Sequence, residues 1–204
     1  MNFPVIMNAF ILAVGLILPL GVQNLFVFNQ GAVHGRYSRA LPVVITASAC
    51  DTLLILFAVG GVSAVALSLP VVKTTLIAFG TLFLLYMGWT TWRSKPKAAG
   101  ASADIVTPRR QIGFALSVSL LNPHAILDTV GVIGTSSLQY SGSDRTVFAL
   151  TCMIVSWLWF AALAYAGKVV GSIDRSGHFL QLLNRVSAIF MWGTAVYLGS
   201  SLWE

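Results

Sequence analysis

Asp51 and Asp128 are two carboxylates set in apolar runs that contain no Lys or Arg. An acid in such a setting is either protonated or paired with a cation from elsewhere. His124 precedes Asp128 by four residues, so on a helix the two share one face and could relay a proton or share a cation. Two further strings break the apolar pattern. In Leu18-Pro19-Leu20-Gly21-Val22-Gln23-Asn24, Pro19 removes a backbone donor and Gly21 weakens the helix, with the amides of Gln23 and Asn24 beside the break. In Leu121-Asn122-Pro123-His124, the same device recurs at Pro123, with Asn122 supplying the amide. A half-helix start presents unpaired N–H groups and a positive dipole end, which suits a carboxylate ligand. Amides and N–H groups for an anion, with two acids for a cation, match a small zwitterion that carries an additional positive charge. Lysine and arginine are such molecules. The bland alternatives are ordinary proline kinks, a structural His124, and protonated acids hydrogen-bonded to neighbouring helices. Ser156, Trp157 and Trp159 form a weaker set, in which the aromatics read first as packing.

These residues need elements that hold them in an apolar medium. The chain has 204 residues, 57% hydrophobic and 9% charged, with a mean hydropathy of +0.84. Soluble domains carry roughly 25% charged residues, so both a soluble fold and disorder are excluded. A spanning helix needs about 20 residues. The charge-free stretches then predict an all-α membrane protein with six transmembrane helices, near 4–28, 40–64, 70–92, 112–135, 146–168 and 182–202. Asp51 falls near the middle of the second. A carboxylate at the bilayer centre costs about 2.5–3.5 kcal/mol on insertion scales, which makes it a functional candidate. Gly60-Gly61 and the Gly167/Gly171 spacing permit close helix approach.

Ten of the twelve Lys and Arg residues lie in the odd connections, leaving Lys73 and Arg145 on the other side. The positive-inside rule places those connections in the cytoplasm and both termini outside. Trp89 and Trp92 flank the most basic connection as interfacial anchors. The stretch 93–111 is the one linker-like segment. It divides a single transmembrane domain, 1–204, into a first repeat of about 1–92 and a second of about 112–204. Three helices are an odd number, so related halves would be inverted repeats. A constant offset pairs Leu16 with Leu120, Pro19 with Pro123, Met87 with Met191 and Thr90 with Thr194. The first basic residue is Arg36, which argues against a cleavable signal at the start. Cys50 and Cys152 sit in apolar runs without a CxxC and read as small hydrophobes, so no metal site and no cofactor are expected. No basic stripe with interleaved aromatics points to nucleic acid.

The string Leu18 to Asn24, followed by Phe26-Val27 and Asn29-Gln30-Gly31, resembles the first-helix signature of the LysE/RhtB amino-acid exporters. Leu121-Asn122-Pro123-His124 with Leu127-Asp128-Thr129 resembles their fourth-helix signature, and Asp51 falls where that family carries its helix-2 aspartate. The resemblance covers essentially the whole chain and is nearest to the lysine/arginine branch. It implies efflux of basic amino acids across the bacterial inner membrane, driven by the proton-motive force. It also implies an inverted-repeat fold with helices 1 and 4 broken at Pro19 and Pro123, and leaves room for a homodimer. Gly21, Gln23, Asn24, Asp51, Asn122, His124 and Asp128 would then bind substrate. Val22 departs from the family, which often has Pro there, so the first break need not have the family's geometry.

Exporting a cation against a cell-negative potential costs about 2.3 kcal/mol per 100 mV. An acid that binds either a proton or the substrate cation, Asp51 or Asp128, would couple the two flows. Neutral amino acids or small metal cations are the alternative cargo, though metals usually bring more than the 3 His present here. An intramembrane enzyme fits least. Asp128 does not follow a Gly-x-Gly run, and no Gly-x-Ser-x-Gly occurs.

Overall fold

The computed structural model describes residues 3–18, 21–34, 36–61, 70–94, 107–120, 125–126, 129–174 and 177–200. Every regular element among them is helical. In place of the first expected span stand two helices, α1 (Phe3–Ile17) and α2 (Val22–Val33), which meet at 79°. Pro19 lies outside the described residues. On either side of it, Leu18 still bonds back to Val14 at 3.0 Å, and Leu25 bonds to Gly21 at 3.0 Å as the first turn of α2. The carbonyls that end α1 need partners, and Asn24 Nδ2 donates to Ile17 O at 2.6 Å. One side chain of α2 thereby caps α1 across the bend.

A 3₁₀ turn, Tyr37–Arg39, leads into α3 (Leu41–Val59), where Pro42 fits the first turn because no N–H is needed there. Helix α3 ends at Gly60, and Gly61 takes a left-handed φ of 80°. Glycine adopts that conformation without the penalty a Cβ would bring. Then follow α4 (Pro70–Arg93) and α5 (Pro108–Leu120). A π-helical turn, Thr129–Gly134, runs into the short α6 (Thr135–Ser137), and α7 (Gly142–Ile173) and α8 (His178–Ser200) complete the order.

The helix at the third expected position runs over 70–93 against an expected 70–92; the others shift. The first extends to Val33, and the second closes at Val59 rather than near 64 because the glycine pair stops it. The fifth runs over 142–173 rather than 146–168. Charged residues do not end that helix, because long side chains reach polar partners from within it. Arg145 turns its guanidinium onto the Val59 carbonyl, at the negative end of α3. The fourth and sixth begin four residues earlier than expected, at Pro108 and His178. Helices α3 and α7 are each long and apolar enough to cross a membrane, and the bent α1–α2 pair passes the same test when taken together, as a broken span or a re-entrant loop.

Packing follows residue size. A Cβ on Gly167 would strike the Phe28 carbonyl, one on Gly171 the Ala32 carbonyl, and one on Gly31 the Ala164 carbonyl. Small residues thus let α2 and α7 approach backbone to backbone. Helix α4 packs on α8, while α3 packs on α5, the π-helical turn and α7. Outward faces are apolar, with Leu158, Val196 and Tyr197 exposed, whereas Asn24, Gln30, Ser48, Gln111 and Asn184 are buried. Polar groups inside and apolar groups outside are the pattern a lipid solvent demands.

Candidate functional site

Asp51 occupies the middle of α3, and its two oxygens are held by two different helices. Gln23 Nε2, in the first turn of α2, donates to Oδ1 at 3.1 Å. Ser156 Oγ, midway along α7, donates to Oδ2 at 2.9 Å. Both donors are neutral, so the carboxylate is oriented but not neutralised by them. Each oxygen retains acceptor capacity.

This group faces a cavity of about 130 Å³ at the α1–α2 bend. Gly21, Gln23, Asn24, Asp51, Ser156 and Thr194 supply its polar wall, with Leu84, Phe160 and Met191 among the apolar residues. Gly21 is the extended residue that starts α2, and the space where its Cβ would stand is empty. The backbone at the bend is therefore approachable. The start of α2 and the Asp51 carboxylate line the same cavity. That arrangement can hold the two ends of a zwitterion.

Of the residues singled out from the sequence, the structure brings together Gly21, Gln23, Asn24 and Asp51. Asn24 has a structural duty as well. Its nitrogen caps Ile17, and its oxygen accepts from Trp159 Nε1 at 3.2 Å. Asn122, Pro123, His124 and Asp128 lie outside the described residues. Their described neighbours Ala125 and Thr129 line the cavity. Ser156, placed in the weaker set, bonds the acid directly. Trp157 and Trp159, read first as packing, both donate hydrogen bonds, Trp157 to Thr52 Oγ1 at 3.0 Å. Thr129 and Thr194 were not read as site residues. Thr129 sits beside Asp128, and Thr194 is the offset partner of Thr90, so both carried a faint signal.

A family model described as LysE type translocator matches residues 14–202. The chain belongs to the LysE-type translocator family. Both break motifs and Asp51 fall within the matched stretch. The "Putative amino-acid transporter YisU" of Bacillus subtilis (strain 168) is 55% identical over 97% of this chain and 90% of its own length. The arginine exporter protein ArgO of Pectobacterium carotovorum is 32% identical over 99% of this chain and 100% of its own. ArgO of Serratia proteamaculans is 33% identical over 97% of this chain and 98% of its own. No solved structure matches the chain. As a LysE-type translocator whose apolar helices expose large hydrophobic side chains, the chain is a multi-pass membrane protein.

Proposed function

We propose that the chain exports basic amino acids, arginine and lysine, from the bacterial cytoplasm across the inner membrane in exchange for protons. The observation that carries this reading is Asp51, held in mid-helix by Gln23 and Ser156, with no cationic partner among the described residues, and facing a cavity at a helix start. The start of α2 takes the substrate carboxylate, and Asp51 takes the side-chain cation. A proton takes the cation's place on the return step, so that the two flows are coupled. Asp128, His124 and Asn122 supply the matching groups from the second half. The arginine exporters among the relatives support cargo of this charge. Among the described residues Asp51 is flanked by neutral donors and not by further acids or imidazoles, which suits an ammonium or guanidinium better than a bare metal ion that draws several hard or imidazole ligands.

Six helices in two inverted repeats belong to the same proposal, broken at Pro19 and Pro123, with both termini outside. Exchange of the halves would turn α2 on α7 into the fourth span on α3, and leave α4 on α8 and α3 on α7 unchanged. All of these contacts occur. Met87 and Met191, equivalent by the sequence offset, share one apolar cluster.

The test is counterflow in proteoliposomes. Vesicles preloaded with arginine should accumulate labelled arginine and lysine, and leave labelled leucine outside. Equal uptake of leucine, or uptake of no amino acid, would overturn the reading.

A further inference from the structure

A second cavity, of about 230 Å³, lies between α2, α4, α5 and α8. Asn29, Thr90, Thr91, Ser94 and Asn184 make its polar wall, and Asn29 Nδ2 donates to Asn184 Oδ1 at 3.1 Å. Ser94 and Asn184 are the chain neighbours of Arg93 and Arg185. Those arginines lie over aromatic rings, Arg93 over Trp89 at 4.3 Å and Arg185 over Trp92 at 5.7 Å. Stacked Trp and Arg are what a membrane–water boundary collects. This cavity thus stands at the end of the bundle where basic residues gather.

Between it and the central cavity is a thin apolar wall. Val22 lines both spaces. Leu25 and Met87 face the second cavity, and Met191 faces the central one. All four are buried members of one cluster. Methionine has three soft torsions and rearranges at low cost. Helix α2 starts at the bend, so a tilt about the bend would move Val22, Leu25 and Asn29 together, as hinge motions do.

We infer that the second cavity is an inner vestibule that takes up a free amino acid from the cytoplasm through neutral amides and hydroxyls, and that Val22, Leu25, Met87 and Met191 form the gate leading to Asp51. This rests on the export reading above. No acid is among the described residues that line the vestibule, so it holds the backbone groups of an amino acid. Selection by side-chain charge comes after the gate. The Asn29–Asn184 hydrogen bond keeps α2 on α8 while the gate is shut.

Thiol labelling tests this without reading transport. The full chain is placed in inside-out membrane vesicles and treated with a membrane-impermeant maleimide. Thr90→Cys reports the vestibule, and native Cys152, buried and lining the central cavity, reports the space beyond the gate. Thr90→Cys should react from the cytoplasmic face, and the native chain should not. Met87→Ala, which thins the gate, should make Cys152 reactive. Free amino acid should slow the Thr90→Cys reaction. Labelling of Thr90→Cys from the opposite face only would overturn the inference. So would a native Cys152 that reacts as fast, or a lack of protection by any amino acid of a standard panel. Thr91→Cys replaces Thr90→Cys if the latter does not reach the membrane. Protection by neutral amino acids alone would uphold the vestibule and count against basic cargo, which keeps the two readings separable.

Discussion

Ser156 on α7 donates its hydroxyl to Asp51 on α3 at 2.9 Å, across 105 positions of sequence. With Gln23 on the other oxygen, three elements converge on one acid. A carboxylate held this way has a fixed direction in the cavity, and its remaining lone pairs are set for a ligand without reorganisation at the moment of binding.

Removing one of the two donors should therefore weaken binding more than folding. A hydrogen bond to a charged group is worth about 1.5–3 kcal/mol. Ser156→Ala should raise the half-saturating arginine concentration by about tenfold or more, an equivalent of about 1.4 kcal/mol per factor of ten. Yield and elution from a sizing column should stay as in wild type. Concentration dependence of counterflow is the measurement.

Charge on the cargo should matter more than its shape. Citrulline matches arginine in length but lacks the cation. Leaving a buried acid without its partner costs about 3–5 kcal/mol. Excess citrulline should then fail to compete with labelled arginine for uptake, whereas excess lysine should compete.

Asn24 should behave as a structural residue first. Asn24→Leu leaves the Ile17 carbonyl and the Trp159 N–H without the partners they have now. A buried polar group left unsatisfied costs about 1–3 kcal/mol. Thermal denaturation in detergent, followed by the fraction still monodisperse, should show a lower midpoint. Trp159→Phe removes one of the two bonds and should fall between Asn24→Leu and wild type.

The α2–α7 contact makes a sharper stability test. Gly167→Val drives a side chain into the Phe28 carbonyl, while a Cβ on Gly193 meets nothing within 4 Å. Overpacking of a tight contact costs about 1–3 kcal/mol. Gly167→Val should lower the denaturation midpoint, and Gly193→Ala should leave it unchanged in the same assay.

Much of the site could be read from residue types alone, because lipid makes polarity conspicuous. Asp51 stood out as an acid without a counter-ion, and Gln23 and Asn24 as amides beside a break. All three reach the cavity. Ser156 was harder. A lone hydroxyl in an apolar helix usually bonds its own backbone, as Thr151 does with Val147, and only the packing of α7 on α3 gives it the acid. Trp159 was harder still, since nothing local marks an indole N–H as the partner of an amide far back in the chain. Helix positions were legible to within about five residues, and charge is a poor stop signal. Arg145 and Lys168 lie inside α7, because a helix ends where its backbone loses partners and not where a side chain is charged. The π-helical turn at Thr129–Gly134 left no pattern in the apolar periodicity. In the structure, Thr135 bonds back to the Gly131 carbonyl within it, and such turns recur at functional sites.

The central claim is that protons and a basic amino acid compete for Asp51. Proteoliposomes loaded with a pH-sensitive dye and given an outward arginine gradient test it most directly. Wild-type protein should move protons inward as arginine leaves. Asp51→Asn, which keeps the size of the side chain but not its charge, should abolish that movement. An Asp51→Asn protein that still exchanges arginine for protons at the wild-type rate would contradict the account.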